Sequence, residues 1–179
     1  MSTALHIEAA HPQDAAEIKA IQDSWLGTRV GSEGFLTNAE TLARIAEMIE
    51  SGNILVARQA GEIVAYATFY RRSEWETLYP GYTDGLKFKT DTLRAEYAAV
   101  DYVVIDHMAR RRSYTGSAAV RIVMHLKRMM GEWGIGYFLG EISPENDRSA
   151  AFFMTTLRAE HIATTSRNSI PWDIYAARI

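Results

Sequence analysis

Residues Ala98 to Leu126 read AAVDYVVIDHMARRRSYTGSAAVRIVMHL, and the order of those residues decides the fold. A dense apolar run, Val100 to Ile105, ends in a polar and basic turn that holds Arg110, Arg111 and Arg112. Ser113-Tyr114-Thr115-Gly116-Ser117 follows, and an apolar helical pattern begins at once. A buried strand that runs through small residues into a helix is suited to holding an anion. The first N–H groups of a helix have no partner within it, and the macrodipole concentrates positive charge there.

The flanking pieces extend this centre in both directions. Downstream, a helix is expected from Ser117 to about Trp133, with Val120, Val123, Met124, Leu126 and Met130 as its inner stripe. Gly134 and Gly136 stop it, and Tyr137 to Ile142 reads as the next strand. A strand, a crossover helix and a strand predict a parallel pair. Pro144-Glu145-Asn146 opens a further helix through Phe152, Phe153 and Leu157, and a last strand or strand pair runs from His161 to Arg178. Upstream, Leu5 to Ala9 is a first strand, and Pro12 and Asp14 open a helix carrying Ala16, Ile18, Ile21 and Trp25. Gly27 to Leu36 reads as a loop, and Thr37 or Asn38 can cap a second helix through Leu42, Ile45, Ala46 and Ile49. Ile54 to Arg58 and Ile63 to Tyr70, on either side of Gly61, form a hairpin. Ser73 to Ala95, rich in aromatic residues and broken by Pro80-Gly81 and Asp84-Gly85, reads as a long connecting segment of the functional kind.

Composition narrows the chemistry. The chain has 179 residues, 47% hydrophobic and 23% charged, which suits one domain over 1–179 with a sizeable core. It has no cysteine, which excludes a disulfide scaffold, a thiolate metal site and a cysteine nucleophile. The net charge of −3 argues against a nucleic-acid binder. No leader pattern opens the chain and no apolar run approaches the ~20 residues of a membrane span, so a cytoplasmic protein with no membrane partner is expected. The five histidines, His6, His11, His107, His125 and His161, show no metal-ligand spacing, and no metal is expected. Neither a Gly-x-Ser-x-Gly elbow nor a phosphate loop ending in Gly-Lys occurs.

Arg111-Arg112-Ser113-Tyr114-Thr115-Gly116, followed by Ser117-Ala118, resembles the Arg/Gln-x-x-Gly-x-Gly/Ala signature of the GNAT superfamily of acyl-CoA-dependent N-acyltransferases. Asn146-x-x-Ser149 with Phe152-Phe153 is similar to that family's Asn-x-x-Ala and Phe-Tyr segment. Two positions depart from the pattern: Tyr114 stands where the family has its first glycine, and Phe153 where it has a frequent tyrosine acid. The join from Ile105 to Arg111 is also about one residue longer than is usual.

The resemblance implies an α/β GNAT-like fold. Its central twisted sheet would be mostly antiparallel, with one splayed parallel strand pair and helices on both faces. It implies acetyl transfer from acetyl-CoA to a primary amine by direct attack in a ternary complex. The cofactor would lie on main-chain groups of Val104, Ile105 and Asp106 and on the turn Arg111, Arg112, Ser113, Tyr114, Thr115, Gly116 and Ser117, with Asn146 and Phe153 beside it. The arginines would add attraction for the diphosphate.

Attack needs a neutral amine, so a base must take a proton. Asp101, a carboxylate inside an apolar strand, is the first candidate and Glu141 the second. Tyr102 and His107 are further candidates, and Tyr102 or Tyr175 could supply an acid in place of Phe153. Trp75, Tyr79 and Tyr82 are a candidate substrate wall or a small satellite core. A small-molecule amine fits such a wall better than a protein acceptor, and homodimerisation is compatible with the resemblance. The rival readings are a CoA-binding or sensory domain of this fold without catalysis, and an unrelated phosphate-binding module.

Overall fold

The computed structural model describes residues 4–26, 36, 39–167 and 169–179. In chain order they form β1 (His6–Ala9), a 3-10 turn (Pro12–Asp14), α1 (Ala15–Trp25), α2 (Leu42–Glu50), β2 (Ile54–Gln59) and β3 (Glu62–Arg71). Next come α3 (Arg72–Leu78), α4 (Tyr82–Gly85), β4 (Lys87–Phe88), α5 (Asp91–Ala99) and β5 (Tyr102–Arg110). The chain ends with α6 (Ala118–Glu132), β6 (Tyr137–Ile142), α7 (Asp147–Ala151), a π turn (Phe152–Thr156), β7 (Glu160–Arg167) and β8 (Ile170–Arg178). The loop expected over Gly27 to Leu36 and the caps Thr37 and Asn38 lie outside the described residues, Leu36 excepted. Thr41 caps α2 instead, its hydroxyl accepting the Arg44 N–H at 3.1 Å.

The eight strands are mostly antiparallel, with one parallel pair among the named strands. They are carried by two compact units.

The first unit holds residues 1–69 and 107–128. Its strands take the order β1-β2-β3-β5. Thr68 receives the His107 N–H and Val64 the Arg111 N–H, so β3 and the end of β5 run antiparallel. Residues Ile63 to Tyr70 of β3 are buried without interruption, which explains their continuous apolar run. The inner face of α1 is Ala15, Ile18, Ile21, Gln22 and Trp25, so the stripe is offset by one residue from Ala16, which is exposed. On α6 the buried residues here are Ala118, Ile122, Val123 and Leu126. Met124, expected inside, is 56% exposed, because a 3.6-residue period cannot bury it along with Ile122 and Leu126.

The second unit holds residues 70–106 and 129–179, with strands in the order β5-β6-β8-β7-β4. β5 and β6 pair in parallel from Tyr102↔Tyr137 to Ile105↔Gly140. The paired register ends there, although β5 runs on to Arg110 and β6 to Ile142. The segment Ser73 to Ala95, expected as a long connection, is mostly helical. Its pieces are set by local caps: Glu74 accepts the Arg71 N–H at 2.8 Å and Thr90 the Leu93 N–H at 3.2 Å. Trp75 anchors α3, packed against Tyr70, Tyr79 and Tyr82 at 4.6–5.7 Å between ring centroids.

Ala60 and Gly61 link β2 to β3 with φ of 53° and 87°. A two-residue hairpin with both φ values positive favours Asn-Gly, and an alanine there is strained. Ala60→Asn is expected to raise stability by about 0.5–1 kcal/mol in chemical denaturation. A fall in the denaturation midpoint would contradict the assigned turn.

Candidate functional site

In the first unit, β5 continues as a strand through the basic residues that the sequence suggested were already turning. His107 is 4% exposed, and Asp106 and Met108 are half-buried, so the segment alternates and pairs rather than turning. The turn itself is Arg111 to Ser117, closed by the Tyr114 N–H on the Arg111 carbonyl at 3.0 Å. It delivers the chain into the first turn of α6, where Arg121 N–H bonds to the Ser117 carbonyl at 3.1 Å.

The three arginines, expected to add attraction for the diphosphate, each also bond within the fold. Arg110 donates to the carbonyls of Arg111, Arg112 and Tyr114, and so holds the turn's shape. Arg111 pairs with Glu17 and donates to the Ile63 carbonyl at 2.5 Å. Arg112 donates twice to the Ser24 carbonyl, at 2.7 and 2.9 Å, and lies 4.4 Å over the Trp25 ring. Trp25 in turn donates to the Arg110 carbonyl at 2.5 Å. Arg111 and Arg112 thus fasten the turn to α1. Tyr114 covers the turn's main chain. A Cβ placed on Gly116 would overlap the Tyr114 hydroxyl, so the phenol rests on the glycine.

In the second unit, Val104 and Ile105 are buried on β5 and Asp106 is half-buried, at the point where the register with β6 ends. Asp101 is exposed, contrary to its expected burial. It lies just before β5 and accepts the Tyr102 N–H at 2.9 Å, a local strand start that the apolar run concealed. Glu141 is 8% exposed on β6, opposite Ile174 of β8 and on the same side of the sheet as Leu139 and Val104.

Tyr102 is fully buried, its hydroxyl 2.7 Å from Thr83 Oγ1 and its ring 5.3 Å from the Arg72 guanidinium. Burial pushes the phenol up to about 12, against a lowering by the Thr83 bond. Tyr175, opposite Gly140 on β8, stacks on His161 at 5.2 Å, and burial raises it too. Asn146 caps α7, accepting the Ser149 N–H at 3.2 Å. Phe153 falls in the π turn and seats its ring on Gly140, where a Cβ would overlap it. Trp75 and Tyr82 are buried and form the satellite core, while Tyr79 is 38% exposed.

No family model matches the chain, and no curated protein matches it in sequence. Solved structures do match it. One is an acetyltransferase of the GNAT family from Listeria monocytogenes, 13% identical, with a TM-score of 0.68 over 98% of this chain and 95% of that one. This chain has the GNAT fold. A second is yncA from Salmonella typhimurium, solved with its cofactor acetyl-CoA, 14% identical, TM-score 0.66 over 98% of this chain and 94% of that one. A third is the Drosophila melanogaster polyamine N-acetyltransferase, which forms N-acetylagmatine, 10% identical, TM-score 0.59 over 98% and 100% of the two chains. At these identities the likeness lies in the order and pairing of elements.

Within the GNAT fold, sequence reasoning missed Gln22, which is wholly buried on α1 and bonded to His107. A glutamine on the apolar face of α1, at the spacing of Ile18, Ile21 and Trp25, was the available signal.

Arg111→Ala is expected to cost about 1–2 kcal/mol in stability, since it removes the partner of Glu17 and of a main-chain carbonyl. Thermal denaturation checks this. Unchanged stability would mean that the arginine is free to serve a ligand.

Proposed function

We propose that the chain is an N-acetyltransferase that moves an acetyl group from acetyl-CoA to a small primary amine by direct attack in a ternary complex. It would act as one GNAT-like domain over 1–179. The observation that carries the reading is the parallel β5–β6 pair whose register ends at Ile105↔Gly140, on a chain that then turns at Arg111–Ser117 into α6. Main-chain groups of Val104, Ile105 and Asp106 past the last pairing can bond an extended amide-bearing arm such as pantetheine. One of their N–H groups can face the developing oxyanion. The diphosphate is assigned to main-chain N–H groups from Arg112 to Ser117 and the start of α6.

The amine nitrogen attacks the thioester carbonyl carbon, the C–N bond forms, and the C–S bond breaks to release the CoA thiolate. That thiolate is a good enough leaving group to depart without full protonation, which makes Phe153 compatible with turnover. A small cationic acceptor is supported by the agmatine and polyamine N-acetyltransferases that share the fold. The second reading is a CoA-binding domain of this fold without catalysis. Phe153, where the resembled family has a frequent tyrosine acid, favours it.

Calorimetric titration with acetyl-CoA, followed by CoA release with a panel of small amines, separates the readings. Binding with turnover is expected; binding without turnover favours the second reading, and no binding removes both. Tyr114→Gly is expected to tighten acetyl-CoA binding by roughly tenfold, because it uncovers main-chain donors worth about 1.4 kcal/mol. Weaker binding would show instead that the phenol contacts the cofactor.

A further inference from the structure

The sheet face that carries Gly140 in the second unit also carries polar groups that the reading above leaves unused. Residues directly opposite one another in a sheet share a face, and alternate residues of a strand return to it. Ile105↔Gly140, Gly140↔Tyr175 and Tyr175↔His161 therefore form one row across β5, β6, β8 and β7. The next row on that face holds Ile142, Asp173 and Thr164. Tyr175 is 7% exposed, and its hydroxyl has no hydrogen-bond partner among the described residues. A buried hydroxyl is ordinarily bonded, so an open one marks the place of a ligand.

Two carboxylates bear on that hydroxyl. Burial raises the phenol most, and Asp173 and then Asp147 raise it further, so both negative charges are felt there. Asp147, the first residue of α7, is exposed and has no ion pair among the described residues. Asp173 Oδ1 lies 3.3 Å from His161 Nε2. The same nitrogen lies 2.9 Å from the Ala163 carbonyl, which can only accept, so Nε2 carries a proton whether or not the ring is charged. A neutral imidazole thus satisfies both contacts and leaves Asp173 its negative charge. The other carboxylates of the central strands are placed elsewhere. Glu141 and Asp106 share the opposite face with Leu139 and Val104, and Asp101 holds the Tyr102 N–H at the start of β5.

We infer that Asp173, Asp147 and the Tyr175 hydroxyl hold the far, non-reacting cation of a diamine acceptor. The inference rests on the acetyltransferase reading and deepens it by naming the acceptor class. Two carboxylates favour the charged form of a bound amine, so a nitrogen held here stays protonated and cannot attack. The phenol oxygen accepts a further N–H of the same ammonium. β8 lies two strands from β5, about 10 Å in main-chain spacing, so the nitrogen that reaches the thioester arm on β5 sits at the other end of the molecule. Phe153 rests its ring on Gly140, midway along the row, and offers the intervening methylenes an apolar surface.

Steady-state kinetics on the full chain with cadaverine and with pentylamine, which differ by one terminal amine, test this. The unmodified protein is expected to favour cadaverine in kcat/KM by about tenfold or more. Asp173→Asn and Asp147→Asn are each expected to lower kcat/KM for cadaverine, Asp173→Asn by about tenfold, while pentylamine kinetics and the acetyl-CoA Kd stay within twofold. Asp147 is exposed, so its variant keeps the test valid if loss of the His161 contact unfolds the other. Equal use of the two amines by the unmodified protein, or a fall in both amines alike in the variants, overturns the inference and leaves the acetyltransferase reading intact. If neither these amines nor any of the wider panel is acetylated, the inference and the reading under it fall together.

Discussion

A peptide group inside a buried sheet has no water to fall back on, so each N–H and carbonyl must be met by a neighbouring strand, a side chain or a ligand. β5 is where this requirement acts most strongly. Tyr102 to Ile105 are almost wholly enclosed, and their main chain is met by β6 in parallel register. At Ile105 that register ends while the strand goes on. Further along, Arg111 finds the Val64 carbonyl, and the Thr68 hydroxyl takes the His107 N–H.

The second consequence concerns charge. Three consecutive arginines at a helix entrance suggest an anion trap, yet each is occupied by the fold. Arg112 shows why. The Ser24 carbonyl near the end of α1 and the face of Trp25 offer a cation both an acceptor and a π surface. Arg111 has a carboxylate, Glu17, that also takes the Ile63 N–H at 2.9 Å. The turn therefore has a defined shape set by its own side chains. The arginines serve that shape.

How much of this could be read from the residues alone follows from the range of each interaction. The β5–α6–β6 unit was legible because its signals are local: an apolar run, a glycine-containing turn, and an amphipathic helix stopped by Gly134 at φ 71°. Asp101 was misleading because exposure at a strand start depends on where pairing begins, which Val100 to Ile105 do not encode. The helices of Ser73 to Ala95 were hidden because their order comes from caps and from Trp75, a wholly buried side chain, and not from a long periodic stripe. Gln22 with His107 joins residues 85 positions apart, and no one-dimensional pattern pairs them.

The two departures from the family pattern share one physical form. Tyr114 seats its ring on Gly116 in the first unit, and Phe153 seats its ring on Gly140 in the second. In both places a glycine is needed not for its φ freedom but because any Cβ would occupy the space of the ring. An isolated glycine inside a strand signals such a close approach, so Gly140 carried this information in the sequence, with the partner unspecified. The two rings differ in how firmly they are held. Phe153 is 4% exposed and packs edge-on against Phe138 and Phe152 at 6.1 and 6.0 Å, so moving it would open the core. Tyr114 is only half-buried in an exposed turn, and a phenol there swings about χ1 at little cost. Gly116 can therefore be uncovered by rotating one side chain, whereas Gly140 cannot be uncovered without repacking.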